Sequence, residues 1–226
     1  MNKYLKDIHK HMHALGLGAL AHANWHANYY SMDNDFWAEL SVIQAAHAME
    51  ILVKSRIARE HPLLIFESLP KPKDAESLLD LEHLAERGRT YDYSDLPDLL
   101  WATTGVRMPN LELFQSFGRL RNRIQHFTSP PRRVSFDAID YIYGVIDPFI
   151  NECWDECAID FNEDPEPYVY LVNNLIQNEV EFIVSDGLIK SMGNSEFEWD
   201  KCSKEYEAAM KRRISDARKN AASKKE

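Results

Sequence analysis

Apolar residues recur at three- and four-residue spacing along most of the chain, a pattern that predicts α-helices. A first helix is expected over residues 2–28, with an apolar face that reaches Leu15. A long second helix is expected from Phe36 to about Glu60, because this stretch has no Gly or Pro before His61-Pro62. Three shorter helices are predicted at 75–87, with Asp74 as its N-cap, near 96–102 and at about 110–127. Another helix is predicted from Phe136 to about Ala158, with Ser135 as its N-cap and a kink at Pro148.

The second helix is apolar nearly all round, so it is the expected central helix of a bundle. Glu50 lies among apolar residues of this helix, where a carboxylate is costly unless it is paired. Lys54, one turn later, is the simple structural partner. In the alternative interpretation Glu50 meets Arg121 or His126 and orients a functional site. The sequence leaves both interpretations open.

Four to five helices are enough to close a bundle by about residue 160, so the predicted fold is all-α. The acidic, Pro-containing stretch 161–168 then looks like a boundary. We therefore expect a helical bundle over residues 1–160 and a small C-terminal extension over residues 161–226.

The extension is less regular in its pattern than the bundle. Residues 169–176 fit either a helix or a strand, and residues 179–184 fit a short strand that turns at Ser185-Asp186-Gly187. A charged helix with a basic end is expected over about 197–222. The extension is thus expected to be mainly helical, with room for short strands.

The formal net charge of −10 does not suggest nucleic-acid binding by the whole surface. Any such site must be a local basic patch, and two patches exist, at residues 107–133 and 211–225. Three cysteines, an odd number, suit a reducing cytoplasm better than a disulfide scaffold. No stretch reaches the length of a membrane span. We expect a cytoplasmic protein with no membrane partner.

Two residue pairs have a spacing that metal ligands also use. His22 and His26 are four positions apart, and so are Cys153 and Cys157. Neither pair is accompanied by a second pair, as a structural metal site would require. Aromatic packing and buried thiols are the simpler explanations. No metal and no cofactor are therefore expected.

Residues 117–127 combine a buried stripe with concentrated positive charge. The apolar positions of this region lie on one helical face: Leu111, Phe114, Phe117, Leu120 and Ile124. Around them, eight consecutive positions hold Arg119, Arg121, Asn122, Arg123 and His126. A helix that needed only to pack would not need these groups, so they are the candidate functional residues.

Arginine and histidine supply what RNA self-cleavage needs. The reaction requires removal of the 2′-OH proton, stabilisation of the phosphate charge and protonation of the leaving 5′ oxygen. Histidine suits the proton transfers because its pKa lies near neutrality, and arginine suits the phosphate because its planar fork stays charged. Arg121 and His126 are five positions apart, and so point about 140° from one another on a regular helix. They can converge on one ligand only if the helix frays or if a second subunit supplies another copy.

Arg121-Asn122-x-x-x-His126, with Leu120 before it and a Pro-rich stop after it, resembles the R-x4–6-H motif of HEPN domains. These are small all-α modules that often act as metal-independent ribonucleases. Residues 46–66 also resemble the second-helix region of some bacterial HEPN-like proteins. The resemblance covers roughly residues 1–158 and is specific only near 46–66 and 117–127. It implies a HEPN-like bundle that forms a homodimer, with paired motifs lining the dimer cleft.

The resemblance implies a role for each motif residue in an endoribonuclease. His126 would be the general base or acid, Arg121 would hold the scissile phosphate and Asn122 would fix the geometry. The products would carry a 2′,3′-cyclic phosphate and a 5′-OH. Supporting positions would be Glu50 and Lys54, and further phosphate contacts would come from Arg119, Arg123, Arg132 and Arg133. Related bacterial proteins are often toxins or anti-phage effectors that cut tRNA or other RNA and are controlled by an antitoxin or regulatory protein.

The chain departs from one HEPN subgroup, whose toxins are inactivated by AMPylation of a Tyr two positions after the motif His. Thr128 occupies that position here, so this mode of control is not expected. A second hypothesis, from a different class, is a HEPN-like binding or regulatory module without turnover. Arg121 would then pair structurally with an acid such as Glu50, and His126 would only stabilise the end of its helix.

Overall fold

The computed structural model describes residues 3–71, 79–130, 134–163, 169–192 and 197–223. The fold is all-α, which confirms the predicted fold class. The helices are α1 (Lys3–Lys6), α2 (Ile8–Asn28), α3 (Trp37–Glu60), α4 (Leu81–Arg87), α5 (Leu96–Thr104), α6 (Leu111–His126), α7 (Val134–Tyr141), α8 (Asp147–Trp154), α9 (Val169–Gln177), α10 (Asp186–Met192) and α11 (Lys204–Ser223). Two short antiparallel strands, β1 (Phe66–Ser68) and β2 (Arg89–Thr90), pair on one side of the bundle.

The long helix α3 is the centre of the bundle, as its apolar pattern predicts. It packs against α2, α5, α6 and α7, and Val42, Met49 and Leu52 are fully buried. Small residues allow the closest approach. At Gly16 of α2, a Cβ atom would lie 2.7 Å from a side-chain carbon of Leu52, so only glycine fits there without a shift.

Three residues assigned to buried faces are exposed instead. Leu15 lies one position away from the buried stripe of α2, which runs through Met12 and Gly16. Phe36 precedes the first residue of α3, and Leu111 is the first residue of α6.

The helix α6 has nearly the predicted bounds. Asn110 is its N-cap: the side-chain Oδ1 accepts a hydrogen bond of 3.3 Å from the backbone N–H of Leu113. Phe114 and Phe117 are buried, while Leu120 and Ile124 are partly buried against the core. This face fixes the rotation of α6 about its axis and therefore the direction of every polar side chain on it.

The helix predicted at 136–158 is two helices, α7 and α8, joined by a π-helical turn at Ile142–Ile146. The wide turn precedes Pro148, which has no backbone N–H to donate, so the predicted kink takes this form. Ser135 is not a cap, because α7 begins at Val134. Helix α8 ends at Trp154, before the predicted limit near Ala158, because Asp155 adopts a left-handed backbone with φ 59°.

Near β1, the observed helix α4 covers only part of the predicted 75–87. Its N-cap is Asp80, whose Oδ1 accepts a hydrogen bond of 3.0 Å from the backbone N–H of His83. The predicted cap, Asp74, lies outside the described residues. The short helix predicted near 96–102 is confirmed as α5.

Residues after 160 contribute to the same hydrophobic core as the bundle. Leu171, Val172, Leu175 and Phe182 are buried in it. Of the two alternatives for 169–176, the helix is correct. The strand predicted at 179–184 is wrong: this stretch belongs to no strand, and the predicted turn after it is the start of α10.

The final helix, α11, begins at Lys204 rather than near 197. None of the described helices combines the length and the hydropathy that crossing a membrane would need.

Candidate functional site

The side chain of Arg121 is held at the surface of the bundle by three neighbours. A guanidinium nitrogen, Nη2, lies 3.6 Å from Oε2 of Glu50, and Nη1 donates a hydrogen bond of 3.3 Å to Oε1 of Gln125. The guanidinium carbon lies 5.3 Å from the ring centroid of Tyr93, within cation–π range. Three different contacts therefore restrict the direction of the guanidinium.

Glu50 makes both of the contacts that the sequence left as alternatives. Its Oε1 accepts a hydrogen bond of 2.7 Å from Nζ of Lys54, and its Oε2 faces Arg121. Lys54 is buried and also donates to the hydroxyl of Thr90 at 3.0 Å. One carboxylate thus lies between two cations, and this group of three keeps a net positive charge.

Tyr93 is part of this site, although the sequence did not single it out. Its ring stacks on Phe114 with 4.2 Å between centroids, and its hydroxyl shares a hydrogen bond of 2.5 Å with the hydroxyl of Tyr141. Tyr141 is fully buried and stacks on Phe117 at 3.8 Å. Burial raises the pKa of both tyrosines, so both hydroxyls stay protonated near neutral pH. Arg121 therefore rests on a ring that is anchored in the core.

The glycine in the middle of α6 explains how Tyr93 approaches the helix. A Cβ atom on Gly118 would lie 2.6 Å and 2.9 Å from two ring carbons of Tyr93. A glycine inside a helix costs stability, so Gly118, which is buried one turn before Arg121, is the one sequence feature from which a close neighbour could have been inferred.

His126 does not join Arg121 within one chain. The helix α6 stays regular through His126 and ends there, so the two side chains point about 140° apart. The expectation that Glu50 reaches His126 is also not met, because in the described part of the chain its carboxylate pairs with Lys54 and Arg121. Both Asn122 and His126 are exposed, and in the described part of the chain neither has a hydrogen-bond or ion-pair partner. Asn122 and His126 thus face solvent, and the motif residues are not assembled into one site within a single chain.

The other predicted phosphate contacts lie on the same helix or outside the description. Arg119 and Arg123 are exposed on α6. Arg132 and Arg133 lie outside the described residues. A cleft of about 500 Å³ opens beside Arg119 and Arg121, between α6 and the turn at Asp92–Ser94.

The residue pairs with metal-ligand spacing are used for packing and polar contacts. Nδ1 of His26 lies 2.6 Å from Oε1 of Gln44, and Nδ1 of His22 lies 2.9 Å from Oε2 of Glu163. Burial lowers the pKa of His26. Across the described ranges, no three His, Cys, Asp or Glu side chains come together as a metal site would require.

In comparisons with protein-family models, with curated proteins and with solved structures, nothing matches this chain. Any functional conclusion must therefore rest on the residues of this chain and their geometry.

Proposed function

We propose that the protein is a metal-independent endoribonuclease of the HEPN type that acts as a homodimer. His126 removes the proton from the 2′-OH or protonates the leaving 5′ oxygen, Arg121 holds the scissile phosphate and Asn122 fixes its orientation. The products carry a 2′,3′-cyclic phosphate and a 5′-OH. Glu50 and Lys54 position Arg121 from the inside of the bundle.

One observation supports this proposal most: Glu50 and Tyr93 position Arg121, but neither of them accepts a hydrogen bond from its guanidinium group. The 3.6 Å separation between Arg121 and Glu50 is ion-pair distance but too long for a hydrogen bond. A guanidinium has five N–H donors. Among the described residues, the one hydrogen bond it donates is to Gln125. The remaining donors are available for a phosphate.

The geometry of α6 supports the proposed homodimer. Arg121 and His126 diverge in one chain, so one phosphate can meet both groups only if they come from different subunits. Two copies of α6 packed around a common axis would bring Arg121 of one copy towards His126 of the other. The partner subunit is therefore part of the proposed site.

A second function has its own supporting observation. Arg121 is already engaged by Glu50, Tyr93 and Gln125, as expected if the arginine is a structural residue of a dimeric binding or regulatory module without turnover. Under this hypothesis substitutions of Arg121 change stability or partner affinity and nothing else.

The two functions are separated by RNA cleavage in the presence of EDTA. Wild type, His126→Ala and Arg121→Ala are incubated with total tRNA and with a single-stranded RNA, and the ends of the products are identified. The nuclease requires cleavage by wild type alone, with cyclic-phosphate ends, and unchanged folding of both variants. Cleavage by His126→Ala would remove this histidine from the mechanism. Intact RNA in all samples, with toxicity in cells equal for wild type and variants, would favour the binding module.

The biological setting we propose is RNA cleavage in the cytoplasm, as a toxin or anti-phage effector controlled by an antitoxin or other regulatory protein. The three cysteines are free. Burial raises the pKa of Cys153 to about 11, so its thiol stays protonated and unreactive at neutral pH. Free, inert thiols suit a reducing compartment.

A further inference from the structure

Four exposed polar residues form a continuous strip along α6. Gln115, Arg119, Asn122 and His126 follow one another at spacings of four, three and four residues, and all are exposed. At 100° per residue they fall within an arc of about 60°, and the rise of 1.5 Å per residue gives a strip about 16 Å long. His126 therefore shares its helix face with Arg119 and Asn122 rather than with Arg121.

The cleft of about 500 Å³ lies beside the first three residues of this strip. On the α6 side it is lined by Gln115, Arg119, Arg121 and Asn122, and on the other side by Asp92 and Ser94. Its volume is within the range of small-molecule sites, about 300–1,000 Å³. Tyr93 and Phe114 line the cleft between the two sides, and their stacking gives it a rigid floor.

The chemical groups in the cleft match a nucleotide. The amides of Gln115 and Asn122 and the hydroxyl of Ser94 can each donate and accept, as base edges require. In the described part of the chain none of these three side chains has a hydrogen-bond partner. Arg119, at the rim, offers a charged fork suited to a phosphate.

We propose that this cleft binds one unpaired nucleotide of a single-stranded RNA, with its base between α6 and Ser94 and its phosphate on Arg119. The inference rests on the proposed function and adds a substrate class to it. Base edges are accessible in single strands, whereas the deep major groove of an RNA duplex hides them. The strip then carries the neighbouring nucleotide from the cleft towards His126.

The test measures RNA binding separately from cleavage. Fluorescently labelled oligomers of eight A, C, G or U, and a duplex of the same length, are titrated in EDTA with His126→Ala protein, and anisotropy gives the affinities. Gln115→Ala and Ser94→Ala are introduced into this background. We expect the four single strands to bind unequally and more tightly than the duplex. Gln115→Ala should weaken the preferred oligomer about fivefold and reduce the differences among the four.

Arginine substitutions provide the matched control for charge. Arg119 and Arg212 are both exposed helix residues, so replacing either with Ala changes the net charge equally. Arg119→Ala should weaken all four oligomers about tenfold and lower the salt dependence by about one phosphate contact. Arg212→Ala should change affinity less than twofold. Equal effects of the two substitutions would mean that Arg119 acts only through the net charge of the protein, and would overturn its assignment as the phosphate contact.

The outcomes distinguish this subsite from the nuclease itself. If wild type cuts RNA but Gln115→Ala and Ser94→Ala leave the affinities and the base preference unchanged, the proposed nucleotide site in the cleft is wrong, while the proposal of a nuclease stands. If wild type cuts nothing but the single strands bind in a Gln115-dependent way, the subsite stands and the nuclease is wrong. Tighter binding of the duplex than of any single strand would overturn the subsite.

Discussion

Gly118→Ala tests whether Tyr93 holds Arg121 in place. The new methyl group would lie 2.6 Å from a ring carbon of Tyr93, and ordinary contact begins near 3.4 Å, so the ring must move by about 0.8 Å. The ring resists because it stacks on Phe114 and is hydrogen-bonded to Tyr141. Overpacking of this kind costs about 1–3 kcal/mol, while replacing a helical glycine with alanine returns about 1 kcal/mol.

The matched control is Gly18→Ala, in the middle of α2. A Cβ atom there has no other atom within 4 Å, so only the gain in helix propensity remains. Urea unfolding should therefore show Gly118→Ala to be less stable than Gly18→Ala by about 1–3 kcal/mol.

Cleavage by Gly118→Ala should fall because the displaced ring no longer supports the guanidinium of Arg121. A cation–π contact contributes about 0.5–1 kcal/mol, which corresponds to a loss of about two- to fivefold in rate. Gly18→Ala should cut RNA at the wild-type rate. Equal stability and equal cleavage of the two variants would refute the argument that Gly118 and Tyr93 together position Arg121.

Three further substitutions test other parts of the structure. Tyr93→Phe removes the hydroxyl that pairs with the buried Tyr141, so the free energy of unfolding should fall by about 1–3 kcal/mol. Cleavage should persist because the ring remains under Arg121. Unchanged stability in urea would contradict this reasoning. Glu50→Gln leaves the buried Lys54 without its carboxylate and should cost about 3 kcal/mol in the same assay. It should also lower cleavage, and a variant as stable and active as wild type would remove Glu50 from the site. Asp147 is buried and accepts hydrogen bonds from two backbone N–H groups, and burial raises its pKa to about 6. The folded protein then takes up a proton at a higher pH than the unfolded chain, whose Asp titrates near 3.9. Relative to Asp147→Asn, wild type should therefore gain about 2–3 kcal/mol as pH falls from 7 to 4; a constant or shrinking difference in urea unfolding would contradict the raised pKa.

The helices could be predicted because their apolar faces are long and regular. The central position of α3 follows from its pattern alone, and α6 has nearly the expected ends because Asn110 caps it and the Pro-rich stretch stops it. Short strands could not be predicted in the same way. The segment 179–184 has a strand-like composition, but whether it forms a strand depends on a pairing partner that local sequence does not show.

The candidate site could be predicted only in part. Glu50 meeting Arg121 was one of two alternatives, and both of its contacts occur, because a carboxylate at this depth can satisfy two cations at once. Tyr93 and Tyr141 were not predicted as site residues. They are 28 positions before Arg121 and 20 after it, so the contact exists only because the turn before α5 folds back onto α6. Sequence spacing carries no information about such a contact.

The most direct test of a site shared between two subunits mixes two inactive variants. Arg121→Ala and His126→Ala are purified separately, each is shown not to cut RNA in EDTA, and they are then combined and allowed to exchange subunits. A heterodimer has one site in which both Arg121 and His126 are intact. We predict that the mixture regains cleavage, up to about half the wild-type activity if all subunits pair across types, with cyclic-phosphate ends on the products. A mixture as inactive as its components, although subunit exchange is demonstrated, would contradict a site built from Arg121 of one subunit and His126 of the other.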